Sequence, residues 1–197
     1  FRGAALDLKQ FDDFGQVIEP FSPGALLPLI VNDEVYGVPE TQDFYVLFYR
    51  KDILDSLNIP VPDTWDDVIE IMPELQRYGM NFYSPIAGAT GMKPFMATAP
   101  FIYQAGGDIF GKDAFETGID SKESLKGIEL MTNLFKLYGL QMQVPVFYEH
   151  FRSGKMPLGV SNFATYIQMQ VAAPELKGSW KIAPAPGITR NGVTERW

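Results

Sequence analysis

Residues 36–54 constrain the fold more than any other stretch. Tyr36-Gly37-Val38-Pro39 leads into a polar loop, Glu40 to Phe44, which runs directly into the apolar segment Tyr45 to Tyr49. Arg50, Lys51 and Asp52 follow, then the apolar pair Ile53 and Leu54. A short aromatic and β-branched run bounded by polar residues reads as a buried strand, and the charged trio after it as a helix start. Loop, buried strand and helix in that order is how α/β proteins set ligand-facing groups at the ends of a sheet. Strand and helix patterns alternate along the rest of the chain, which argues for a parallel or mixed sheet covered by helices.

The punctuation is mostly clear. Residues 1–35 predict a short helix near 16–19, a loop, and an extended segment into Val35 to Val38. Thr64 heads the first long helix, with Asp67 placed to close a capping box. Trp65, Val68, Ile69, Met72 and Leu75 recur at helical spacing, and Gly79 ends the run. Pro73 inside it costs about 3 kcal/mol unless the helix kinks, so a kink is expected. A short strand over 82–86 leads to a loop, then a largely buried apolar helix over 95–104 closed by Gly106-Gly107. Asp120-Ser121-Lys122-Glu123 reads as a second capping box. It opens an amphipathic helix with Leu125, Ile128, Met131, Leu134, Phe135 and Tyr138 on one face, stopped by Gly139. A short helix within 145–155, a strand over 156–161, a helix over 162–171 and a strand over 181–185 complete the pattern. Residues 191–197 read as a connecting segment.

Composition narrows the function. A chain of 197 residues with 46% apolar content can bury a real core. Its formal charge of −8 argues against nucleic acid and against an anionic membrane surface as partners. With no cysteine, disulfides, thiolate metal sites and thiol catalysis are excluded. No apolar run approaches the roughly 20 residues that span a bilayer. The chain opens without an initiator Met or an apolar leader, and both ends read as cuts through a longer protein.

Enzyme signals are sparse. His150 is the one histidine; it has no hydroxyl at suggestive spacing, and no G-x-S-x-G elbow exists. Zinc and calcium spacings are absent as well, so no catalytic residue, metal or cofactor is expected. A glycosidase needs two carboxylates about 5–9 Å apart, which Glu40 and Asp43 in one loop, or Glu149 elsewhere, do not establish. Gly88 to Gly91 lacks the Lys-Ser/Thr ending of a phosphate loop and reads as a turn. Binding reads better, because a sugar site needs flat apolar faces beside planar polar groups. Three strand-to-helix junctions offer both: Glu40, Gln42, Asp43 and Phe44; Phe95 and Met96; and Asn162, Phe163 and Tyr166. The competing reading makes these aromatics core residues and the polar ones caps. Trp65, just after a cap on an amphipathic helix, reads as a packing residue.

Further motifs carry a resemblance. Tyr36-Gly37-Val38-Pro39 and Tyr49-Arg50-Lys51-Asp52 are followed by Pro62-Asp63-Thr64-Trp65, Ala105-Gly106-Gly107 and Phe151-Arg152-Ser153-Gly154-Lys155. In order and spacing these resemble the sugar-transporter class of extracytoplasmic solute-binding proteins, of the maltose-binding type, from about Leu6 to Gly187. Pro157-Leu158 departs from the usual Ala-Met. The resemblance implies an α/β fold, a type II periplasmic-binding-protein-like lobe with a mixed, mostly parallel sheet flanked by helices, within an incomplete two-lobe architecture. It implies that 1–43 end the first lobe and cross a hinge, that 44–187 form the second lobe, and that 188–197 cross back. The chain would then be the middle of a protein about twice its length. Asp43 falls on a family position that carries an acidic sugar contact, and Asn162 to Tyr166 on a loop of stacking aromatics. Pro94 to Met96 matches a loop whose acid and aromatic are not kept here, which departs from maltodextrin specificity.

The implied function is the substrate-binding component of an ABC importer. It would bind a carbohydrate in an interlobe cleft and deliver it to membrane permease subunits. The protein is expected to be a monomer outside the cytoplasm, tethered through chain not present here. The alternatives are a peptide or polyol-phosphate solute, a sensor, or a polysaccharide-degrading enzyme. A phosphate would draw on Lys93 or Arg50-Lys51.

Overall fold

The computed structural model describes residues 4–40, 43–88, 93–113, 115–144 and 146–196. The chain divides into two compact units, residues 1–44 and 45–197. The first unit holds α1 (Phe14–Ile18), α2 (Pro23–Leu26), and the two-residue strands β1 (Ile30–Val31) and β2 (Glu34–Val35). The strands pair antiparallel through a tight turn in which Asn32 and Asp33 both take positive φ, the backbone such a turn requires. Asp7 Oδ1 accepts the Val35 N–H at 3.0 Å and ties this hairpin to the start of the unit. The helix expected near 16–19 begins earlier, and the expected loop after it contains α2, started by Pro23 at its first position.

The second unit is built on a four-stranded sheet of β3 (Tyr45–Arg50), β4 (Phe82–Tyr83), β5 (Leu158–Asn162) and β6 (Trp180–Pro184), in the order β4-β5-β3-β6. β4 and β5 are parallel, while β3 pairs antiparallel with both β5 and β6. The sheet is therefore mixed and flanked by helices, but among its described pairings antiparallel outnumbers parallel, contrary to the mostly parallel expectation. The cause is that β3 is entered first and β5 and β6 return beside it.

Each face of the sheet has its own core. Leu47, Leu158 and Val160 face a layer built from α3 (Lys51–Leu57), α4 (Trp65–Arg77), α5 (Lys93–Gln104) and α6 (Lys122–Lys136). Val46 and Phe48 face the other way, onto α7 (Phe147–Arg152), α8 (Ala164–Ala172) and Trp180. This is the period-2 alternation of a strand buried on both sides. The capping box at the head of α4 forms as expected: Thr64 Oγ1 accepts the Asp67 N–H at 3.1 Å, and Asp67 Oδ2 accepts the Thr64 N–H at 2.8 Å. The helix continues through Pro73 to Arg77. Ile71 rather than Ile69 completes its buried stripe.

Three further expectations are corrected. The strand at 82–86 stops at Tyr83, because Pro85 opens a 3-10 turn over Pro85–Gly88. At α6 the cap is Ser121, whose side chain accepts from Ser124 N–H, so the box with Glu123 does not form. The buried residues of that helix are Ser124, Gly127 and Leu134, while Leu125 is exposed. Close approach explains the change: a Cβ on Gly127 would lie 2.3 Å from the Phe101 carbonyl oxygen of α5. The tail also differs from a connecting segment. β7 (Ile188–Arg190) and β8 (Val193–Glu195) form an antiparallel hairpin around Asn191-Gly192, both at positive φ.

Candidate functional site

One end of the four-stranded sheet gathers the groups that matter. β4 and β5 finish there, β3 begins there, and β6 ends there: Tyr45 is the register partner of Asn162, and Val46 of Pro184. In the chain, Asp43 and Phe44 immediately precede Tyr45, and Asn162 and Phe163 join β5 to α8.

Asn162, Phe163 and Tyr166 are brought together within one turn. The Phe163 and Tyr166 rings stack with centroids 5.3 Å apart and planes 6° from parallel. Tyr166 also meets Trp180 edge-on, at 5.4 Å and 70°. Polar order comes from a relay of hydroxyls. Thr165 Oγ1 donates to Asn162 Oδ1 at 3.0 Å, and Ser161 and Thr165 hydroxyl oxygens lie 2.8 Å apart. The single Thr165 proton serves Asn162, so Ser161 is the donor in the second bond. Ser161 and Thr165 are both buried, which shields the relay from water. Neither was singled out as orienting Asn162 from sequence; a Ser or Thr one turn into the helix after a strand is the signal that could have found them.

Two more features mark this end of the sheet. Tyr83 stacks on Phe147 at 4.4 Å, and burial, with a smaller contribution from Tyr45, pushes its phenol pKa up. Ser84, the residue after β4, is 2% exposed, and its Oγ has no hydrogen-bond partner among the described residues.

The other predicted residues are placed differently. Glu40, Asp43 and Phe44 lie in the first unit and are exposed; Asp43 Oδ1 accepts the Phe44 N–H at 3.0 Å. Phe95, 46% exposed, lies near the start of α5, a helix that packs on α6 and on the turn after β4. Gln42 lies outside the described residues, as do the side chain of Met96 and the Ala89 to Gly91 part of the glycine turn. Trp65 is a packing residue: 5% exposed, with its ring centroid 4.6 Å from that of Phe101 and its Nε1–H donated to Gln104 Oε1 at 3.0 Å.

Arg50 is committed to structure. Its guanidinium donates to Asp52 at 2.9 and 2.6 Å and to the carbonyls of Phe151 and Arg152 at 3.2 Å each. Among the described residues no group of three His, Cys, Asp or Glu could hold a metal ion, and no helix is long and apolar enough to cross a membrane.

A groove with about 340 Å³ of space opens beside α8, with Tyr166 in its wall. Its other lining residues, among them Gln170, Lys177, Trp180 and Lys181, were not anticipated from sequence.

Comparison with known proteins places this geometry in a family. Over residues 4–194 the chain matches the family model described as bacterial extracellular solute-binding protein. It is 21% identical, over 94% of its length and 42% of the relative's, to the arabinooligosaccharide-binding protein of Halalkalibacterium halodurans. Among solved structures it is similar to maltose-bound MalE3 of T. maritima, with TM-score 0.74 and 22% identity over 92% of this chain and 48% of that one. It is likewise similar to the GacH receptor of Streptomyces glaucescens, solved unliganded and with acarbose, with TM-score 0.73 and 19% identity over 94% of this chain and 48% of that one. The chain thus spans about half the length of these relatives. With the mixed sheet, its flanking helices and the polar strand ends all in place, the chain belongs to the bacterial extracellular solute-binding protein family.

Proposed function

We propose that this chain contributes the carbohydrate-recognising wall of a substrate-binding protein that serves an ABC importer. The observation that carries the reading is the pairing, at one end of the sheet, of a hydroxyl-oriented amide at Asn162 with the stacked rings of Phe163 and Tyr166. An oriented amide meets sugar hydroxyls, and aromatic rings meet the C–H face of a pyranose. The relatives named for arabinooligosaccharide and maltose binding support a sugar as solute. Residues 44–187 are assigned to the second lobe, with 1–43 before its hinge crossing and 188–197 after it. The opposite wall of the site is assigned to parts of a two-lobed protein that the match does not cover. The protein works outside the cytoplasm as a tethered monomer, hands its solute to permease subunits, and is not an enzyme. Arg50, held by Asp52 and two carbonyls, is unsuited to a phosphate ligand, which favours a sugar over a polyol phosphate.

Thermal unfolding of the intact protein across a panel of mono- and oligosaccharides, peptides and sugar phosphates tests this. A ligand at 100 times its Kd adds about 2.7 kcal/mol of stability, which is a visible rise in Tm. A rise confined to sugars is the expected result. A rise with peptides or phosphates alone overturns the carbohydrate assignment.

A further inference from the structure

Nearly every buried polar side chain in this chain is already hydrogen-bonded. Among the described residues, Arg50, Asn81, Gln104, Ser124, Ser161 and Thr165 are buried and each has a partner. Ser84 is the exception: it is 2% exposed, and its Oγ has no partner among the described residues. The other orphaned atom, Arg190 Nε, belongs to a guanidinium whose Nη2 lies 3.6 Å from Glu195. A hydroxyl shut away from water with nothing to bond is costly, so its position calls for a partner that arrives from outside the fold.

The place of Ser84 in the fold identifies that partner. Ser84 precedes Pro85, which favours extended backbone, so it continues the alternation of β4. Phe82 faces the α3–α6 core and Tyr83 the opposite one, which returns Ser84 to the Phe82 face. Ser84 lies one residue beyond the Tyr83–Gly159 pair, at the level of Val160 on the neighbouring strand, two residues short of Asn162. The Pro85–Gly88 turn that follows packs on both β5 and α5, the helix whose start carries Phe95. Tyr45, the register partner of Asn162, packs on the same face of the sheet as Phe82. Ser84 therefore stands at the base of the angle between two strand-to-helix junctions, the one leading to Phe95 and the one holding Asn162, Phe163 and Tyr166.

From these observations we infer that Ser84 is a specificity-determining residue of the solute site, and that its Oγ takes one hydroxyl group of the bound sugar. A hydroxyl both donates and accepts, as Ser84 does, and it brings no charge into a spot closed to water. A carboxylate or an ammonium group would give up its hydration there for a single hydrogen bond. The sugar hydroxyl enters where the Pro85–Gly88 turn meets the end of β5. This inference deepens the carbohydrate reading above and rests on it.

Calorimetric titration and thermal unfolding of the intact protein test it, comparing wild type with Ser84→Ala. The ligands are the sugar that raises Tm and its monodeoxy analogues. Alanine removes the orphaned oxygen and keeps a small side chain, so the sugar-free Tm is expected to stay level or rise. Affinity for the sugar is expected to fall by about 5–10-fold. One monodeoxy analogue is expected to lose the same factor on the wild type, and to bind Ser84→Ala as well as the parent sugar does. Stability and affinity that move apart in this way are a signature no purely structural serine gives. A lower sugar-free Tm means that Ser84 has a partner within the fold, and overturns the inference. Wild-type affinity in Ser84→Ala, or an equal further loss with every monodeoxy analogue, overturns it as well and leaves the carbohydrate reading standing. A wild type that binds no sugar overturns the carbohydrate reading and the Ser84 assignment with it.

Discussion

Thr165 Oγ1 donates a 3.0 Å hydrogen bond to Asn162 Oδ1, which turns the Asn162 carbonyl oxygen toward the first turn of α8. Replacing Thr165 by Val removes the donor and leaves the buried Ser161 hydroxyl without its acceptor. The expected cost is about 1 kcal/mol of stability and solute binding weaker by about 5–10-fold. Thr165→Ser restores most of both. Denaturant unfolding and calorimetric titration read the two effects separately; a Val variant that binds as the wild type does removes the relay from the site.

Arg50 and Asp52 lock the end of β3 to α7. Asp52→Asn leaves the Arg50 guanidinium, on a residue 9% exposed, with two carbonyls and no counterion, at an expected cost of about 1–2 kcal/mol. Urea unfolding at pH 7 measures it, and an unchanged midpoint contradicts it.

The same pair predicts a pH dependence. The hydrogen bond from Arg50, against a smaller opposing effect of burial, holds the Asp52 carboxyl below the usual range for Asp. A depressed folded-state pKa gives stability that is fully present above the unfolded value, about 3.9, and is lost as pH falls through the folded value. The stability gap between wild type and Asp52→Asn is therefore expected to be constant from pH 7 to 5 and to close below pH 4. A gap that widens toward low pH contradicts the assignment.

Gly127→Ala sets helix propensity against packing. Alanine in a helix gains about 1 kcal/mol over glycine. Here the added Cβ meets the Phe101 carbonyl oxygen at 2.3 Å, and backbone cannot yield as a flexible side chain would. Forced separation of α5 and α6 costs about 1–3 kcal/mol and outweighs the gain. Thermal unfolding is expected to show a lower Tm; a higher one means the two helices are not in the contact described.

Local signals made much of this fold legible. The β3 run, the Thr64 capping box and the glycines after α4, α6 and α7 each state their role within a few residues, and the structure follows them. Elements decided by distant partners were harder. The face of α6 follows the expected stripe through Leu134, with Met131, Phe135 and Tyr138 packed on the core; only its first turn differs, where α5 approaches closely enough to select Ser124 and Gly127 over Leu125. The β7–β8 hairpin carried a readable Asn191-Gly192 turn signal, obscured by its short flanking strands. At the candidate site, Asn162, Phe163 and Tyr166 were visible as a strand-to-helix junction. The groove beside α8 was not, since it exists only because β6 pairs with β3 at the edge of the sheet.

The most direct test of the central claim is calorimetric titration of the intact protein with the stabilising sugar, comparing wild type, Asn162→Ala and Phe163→Ala. If the sugar is held at this end of the sheet, each variant keeps its cooperative unfolding and binds at least about tenfold more weakly, the loss of one good contact. Wild-type affinity in both variants would place the solute elsewhere and contradict the account.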